Sequence, residues 1–203
     1  MVGVISSDAD LLEAALEQFV LTGVRRTSAD DIARRAGINR ATLYRRLGTK
    51  DQIVAAAILH ETTKVLAGIE EQIGEVPPPG TPGFDPTAYV VRFFSVTVTA
   101  VRTNELLHQL VAKDRDETLV GLTEKSGDVI TMSSALVADR IRSLRAYAGS
   151  PVADDVDGLA AVLARLTQSL LLTPTGPPDL GSPAKMAEFA STVIAPIVLR
   201  GAP

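Results

Sequence analysis

Apolar positions in the first fifty residues recur with a helical period. Leu11, Leu12, Ala15, Leu16, Phe19 and Val20 fall at i, i+1, i+4, i+5, i+8 and i+9, a single stripe on a helix of 3.6 residues per turn. Ser7 or Asp8 opens that helix, which is expected to run to about Leu21 before Thr22 and Gly23 end it. A shorter pattern follows. Ile32, Ala33 and Ala36 share one face, behind Ser28, whose hydroxyl suits an N-cap. Asp30 and Asp31 sit in the first turn, where the helix dipole favours negative charge. Gly37 is the natural stop, because glycine enters the left-handed region without a Cβ penalty. Ile38 then plugs the core, and Asn39 caps another short helix, Arg40 to Leu47, that buries Leu43 and Leu47.

The helical period continues to the end of the chain. Thr49 is placed to cap a long helix reaching about Ile73, a connector out of the first unit. The run VPPPGTPGFDP, residues 76–86, is a loop, since proline fixes φ and removes donors. Residues 87–101 are apolar and β-branched, and a strand competes there locally. Tyr89, Phe93 and Val96 nevertheless follow the helical period, and no other stretch offers a strand to pair with. Two short helices are expected over 104–112 and 115–122. A longer one over 128–147 turns Ile130, Leu136, Val137, Ile141 and Leu144 inward and Arg140, Arg142 and Arg145 outward. The chain ends in two helices, about 153–172 and from Ser182 or Pro183 to about Leu199. The fold class is all-α. Residues 1–48 form a three-helix unit with a helix-turn-helix, and residues 49–203 form a connector and a helical second domain.

Charge sharpens this picture. Between Arg25 and Lys50 eight basic residues stand against two aspartates, a local excess of six on a chain of formal net charge −4. The remainder therefore carries about −10. A basic patch confined to one end of an acidic protein is the electrostatic footprint of a nucleic-acid reader. A short helix pair with a tight turn and basic second helix is the arrangement that enters the DNA major groove.

The final two helices carry apolar residues on more than one face: Leu159, Val162, Leu163, Leu166 and Leu170, then Phe189, Val193 and Ile197. Such a pair needs a second burial surface, which a homodimer through a four-helix interface would supply; the alternative is a helix pair buried wholly within one subunit.

Together the first amphipathic helix, Thr27, Asp31-Ile32-Ala33, Ala36-Gly37-Ile38, Thr42-Leu43-Tyr44, Leu47 and Lys50-Asp51 resemble the TetR family of bacterial transcriptional regulators. That resemblance is specific from about Leu11 to Ile58; beyond it only the all-helical architecture matches. It implies a homodimer that binds a double-stranded, palindromic DNA operator, most often as a repressor, and is released by a small-molecule effector in the second domain. Carried over by position, Arg40, Ala41 and Thr42 begin the recognition helix, Tyr44 contacts phosphate, and Arg46 contacts base or phosphate. Thr27 and Ser28 fall at the phosphate-binding start of the second helix, and Lys50 matches a phosphate-contacting lysine. The sequence departs from many relatives before its first helix, where Asp8 and Asp10 replace basic residues. No N-terminal phosphate-binding arm is expected.

Other chemistry is weakly represented. There are no cysteines, which excludes disulfides and thiolate metal sites. His60 and His108 lack metal-ligand spacing, so no metal or cofactor is expected. The loop VPPPGTPG lacks the Gly-Lys-Ser/Thr ending of a phosphate loop. Asp154, Asp155 and Asp157 suit a helix N-terminus. An all-helical enzyme would need a facing acidic cluster, for which Asp114, Asp116 and Glu117 are the only candidates. No signal peptide or membrane span is evident, and the expected location is the cytoplasm. If an effector binds, Thr97, Thr99, His108 and Gln168 are the expected polar groups of its pocket, and the aliphatic surroundings suit an apolar or amphipathic molecule. The alternative is a constitutive DNA-binding protein without effector.

Overall fold

A computed structural model of the chain describes residues 7–149 and 155–200. Among these residues all regular elements are helical. The apolar, β-branched stretch after the proline-rich loop is the helix Pro86–Arg102. With no strand to pair with, its backbone groups are satisfied within the segment, and Asp85 caps its start.

The helices are α1 (Asp8–Thr22), α2 (Ala29–Arg35), α3 (Arg40–Leu47), α4 (Lys50–Ile73), α5 (Pro86–Arg102), α6 (Glu105–Lys113), α7 (Arg115–Thr123), α8 (Gly127–Tyr147), α9 (Val156–Leu172), α10 (Pro183–Phe189) and α11 (Ala195–Val198), with a π-helical turn at Ala190–Ile194. The expected unbroken last helix is therefore interrupted. Pro196 has no N–H to donate, and the widened turn before it returns the Ala195 N–H to Ala190 O. Asp154 lies outside the described residues; Asp155 caps α9 through the Gly158 N–H.

The chain folds as two compact units: Met1–Lys64 with Asn104–Val129, and Val65–Thr103 with Ile130–Pro203. These boundaries differ from a division after Gly48. Helices α6 and α7 belong with the first unit, because Leu110 and Leu106 join the core built on Leu11, Phe19, Ile32, Leu43 and Ile53. Asp114, between α6 and α7, accepts the Arg25 backbone N–H through Oδ2 at 2.8 Å. Gly23 backs directly onto Asp114, where a Cβ would meet the aspartate Cβ at 3.3 Å.

The second unit packs Ile69, Val90, Phe94, Val98, Ile141 and Ala160 around one core. Tyr147 donates its hydroxyl to Thr81 O at 2.8 Å and meets the Phe84 ring edge-on at 4.7 Å, which pins the proline-rich loop. Arg145 corrects the sequence reading. It is 2% exposed rather than turned outward, and its Nε donates to Val198 O at 3.1 Å.

Candidate DNA-reading site and ligand cavity

Local hydrogen bonds shape the helix-turn-helix. Ser28 accepts the Asp31 N–H at 3.2 Å while Asp31 accepts the Ser28 N–H at 3.0 Å, a reciprocal cap. The Ser28 hydroxyl also donates to Asp31 Oδ2 at 2.6 Å, and this bond first, then the one from the Ser28 N–H, holds the Asp31 carboxyl below its ordinary range. Gly37 turns the chain with φ +68°. Asn39 Oδ1 then accepts the Thr42 N–H at 2.8 Å and starts α3. Leu43 is fully buried, so Arg40, Ala41 and Arg45 project outward and are exposed, with Thr42, Tyr44 and Arg46 half-buried.

The exposed face is partly occupied by its own chain. Arg40 pairs with Asp30 at 3.1 Å and stacks over the Tyr44 ring at 5.2 Å from its centroid. A hydrogen bond to Tyr44, with Asp30 nearby, raises the Arg40 pKa. Arg46 pairs with Asp8 at 2.6 Å. Lys50 donates to Arg25 O at 3.2 Å, which holds its ammonium beside the loop that leads to α2. Thr27 does not fit the expected phosphate contact. It is 1% exposed, and its hydroxyl donates to Gly23 O at 2.7 Å, closing the turn between α1 and α2.

In the second unit a cavity of about 60 Å³ opens among α5, α8, α9 and the chain's last turns. Phe94, Leu144, Leu163, Leu166 and Ile194 give it apolar walls. Its polar groups are Tyr89, Thr97, Arg140 and Thr167. Tyr89 donates to Gly74 O at 2.9 Å, and burial pushes its phenol pKa up. Thr167 donates to Leu163 O at 3.1 Å. The buried Thr97 hydroxyl has no hydrogen-bond partner.

Of the expected pocket groups only Thr97 lines this cavity. Thr99 is exposed, since two residues along a helix rotate a side chain to the opposite side. His108 lies on α6, in the other unit. Gln168 is displaced from the wall by Thr167, one residue earlier. The sequence reading missed Arg140 and Thr167; the former looked like a solvated outward arginine. Its side chain is 13% exposed.

The expected dimer residues also separate. Leu170 is buried in its own unit, and Leu159, Leu163, Leu166 and Phe189 pack against that same core. Val162, Val193 and Ile197 remain outward at 63%, 41% and 44% exposure.

Two family models match the chain: bacterial regulatory proteins of the tetR family over residues 11–57, and the bacterial tetracyclin repressor C-terminal domain over residues 85–194. The chain belongs to the TetR family of helix-turn-helix transcriptional regulators. Among TetR-family relatives, the regulator TtgR of Pseudomonas putida is 36% identical over 105 residues, 49% of this chain and 48% of that protein. An HTH-type regulator of Mycobacterium tuberculosis is 30% identical over 137 residues, 67% of this chain and 66% of that one. The alignments thus span about half to two thirds of these curated relatives. The TetR-family repressor AlkX from Dietzia sp. shares the fold with TM-score 0.68 at 20% identity, covering 97% of this chain and 98% of its own. The repressor QsdR of R. erythropolis superimposes with TM-score 0.62 at 17% identity, covering 96% of each chain. Among the described residues no group of acidic or histidine side chains is arranged to hold a metal, and no helix is long and apolar enough to cross a membrane.

Proposed function

We propose that this TetR-family protein is a cytoplasmic repressor that binds a palindromic operator as a homodimer and leaves it when a small apolar or amphipathic effector enters the second unit. The observation that carries the DNA reading is α3, anchored by buried Leu43 and presenting Arg40 and Ala41 on its exposed first turn. In the groove, Arg40 exchanges Asp30 for a guanine edge, a contact worth about 1–3 kcal/mol of discrimination. Thr42, Tyr44, Arg46 and Lys50 position the helix on the backbone, with Ser28 at the start of α2. DNA reading is assigned to the unit that holds α1, α2 and α3, and effector binding and dimerisation to the unit that holds α5, α8, α9 and the last helical segments.

The outward patch of Val162, Val193 and Ile197 supports a dimer through α9 and the last helical segment. The unpartnered Thr97 hydroxyl in a mostly apolar cavity supports an effector, because buried polar groups ordinarily find a partner. An effector must favour the DNA-incompetent arrangement. It need only shift the recognition helices from the roughly 34–36 Å spacing of successive major grooves.

Selection from a random duplex library at a stated salt concentration tests this. The expected result is a palindromic site whose enrichment is lost with Arg40→Ala and weakened with Tyr44→Phe or Lys50→Ala. Absence of enrichment at low salt rejects specific DNA reading.

A further inference from the structure

The effector reading above leaves the ligand's chemistry open, and the cavity wall narrows it. Arg140 is the charged residue among those lining the cavity. Its guanidinium is held by Glu70 of α4, with Nη2 to Oε1 at 2.6 Å, and has Asp139 at 3.6 Å. The two partners differ in burial. The Arg140 side chain is 13% exposed and that of Glu70 is 45% exposed. The Arg140 side chain is thus held in the wall, whereas its principal counter-ion reaches water.

We propose that the cavity takes a slender aliphatic carboxylate, whose head displaces Glu70 from Arg140 and whose chain lies among the apolar walls. This rests on the effector reading and supplies its ligand class. A largely buried arginine cannot lose its acceptor without a substitute. A neutral chain beside it would remove water and return nothing. A carboxylate replaces the Glu70 carboxylate with a charge-assisted hydrogen bond of the same kind, and the released Glu70 rehydrates at little cost because it is already half in solvent. Arg92 and Asp139 are the other charged groups near this end, and both act on the Tyr89 phenol. The two arginines and two carboxylates there become two arginines and one carboxylate once Glu70 swings away, so the incoming anion restores the balance.

Any ligand must widen the cavity, and a slender chain asks least of it. Its 60 Å³ is well under the roughly 150 Å³ that holds a benzene ring. A branched or polycyclic molecule would have to part four helical segments, whereas an unbranched chain needs side-chain rotations. Tyr89 and Thr97 lie eight residues apart on α5, so the lining runs along about 12 Å of helix rise. Loss of the Arg140–Glu70 pair also removes an ion pair between the final turns of α4 and α8.

Titration of the full-length protein with octanoate and with 1-octanol, by calorimetry and by thermal unfolding, tests this. Octanoate is expected to bind at least tenfold more tightly than octanol, with affinity rising about fourfold for each added methylene. Arg140→Met should erase the preference for the acid while octanol still binds. Glu70→Gln should tighten octanoate binding, because the internal competitor is weakened; a residue that merely supports the fold would not act in that direction. Equal binding of acid and alcohol would overturn the carboxylate proposal and leave the effector cavity standing. Binding of neither, by a protein that still selects its operator, would overturn both.

Discussion

At the scale of single residues, the arginines proposed to read DNA are each paired with an acidic neighbour. Arg46 pairs with Asp8 and Arg40 with Asp30. On the proposed reading both aspartates must yield for the arginines to reach phosphate or base, so each would oppose binding. Asp8→Asn is therefore expected to tighten operator binding severalfold at low salt, and fluorescence anisotropy over a salt series measures it. The gain should shrink as salt rises, since exposed pairs are screened. A second prediction concerns Glu13, whose carboxyl is held below its usual range chiefly by the Lys64 ammonium, with His60 adding to the effect. A lowered folded pKa gives stability that is present above the ordinary Glu value near 4.3 and is lost as pH falls through the lowered value. Glu13→Gln should lower the unfolding midpoint at pH 7, and the difference from wild type should close as pH falls through the lowered Glu13 pKa.

Helices were legible wherever a cap and a period coincided. Ser7, Ser28, Asn39 and Ser182 all cap as their positions suggest, because the hydroxyl or amide needs only neighbouring backbone N–H groups. Asn39→Ala should cost about 1 kcal/mol, read as a lower unfolding midpoint, with Asn39→Ser restoring most of it. What local pattern could not supply was the direction of a polar residue on a buried helix. Arg145 and Arg140 read as outward on α8, yet the first is enclosed against Val198 O and the second lines the cavity. Their acceptors come from residues 53 and 70 positions away. Thr97 was found because it falls on the inner side of α5; Gln168 missed by one residue, a rotation of about 100°. The π turn was equally hidden, although Pro196 marked where the last helix would be disturbed.

For the whole molecule, the outward apolar residues decide whether a second copy is required. Val193→Asp with Ile197→Asp should leave each unit's core intact, because both side chains already face outward. Sedimentation should then show monomer, and operator affinity should collapse with it. A dimer that survives these changes uses another face. The division of the chain into compact units has a different consequence. The loop between α1 and α2 is held by Asp114, 89 residues later in sequence than the Arg25 N–H it accepts, and Leu110 completes the core beneath. The DNA-reading segment is therefore not transplantable as a contiguous cassette. A hybrid regulator made by grafting residues 1–48 onto a foreign effector domain would carry an open backbone donor and an uncovered apolar face, whereas one that also keeps residues 49–64 and 104–129 would travel with its own supports.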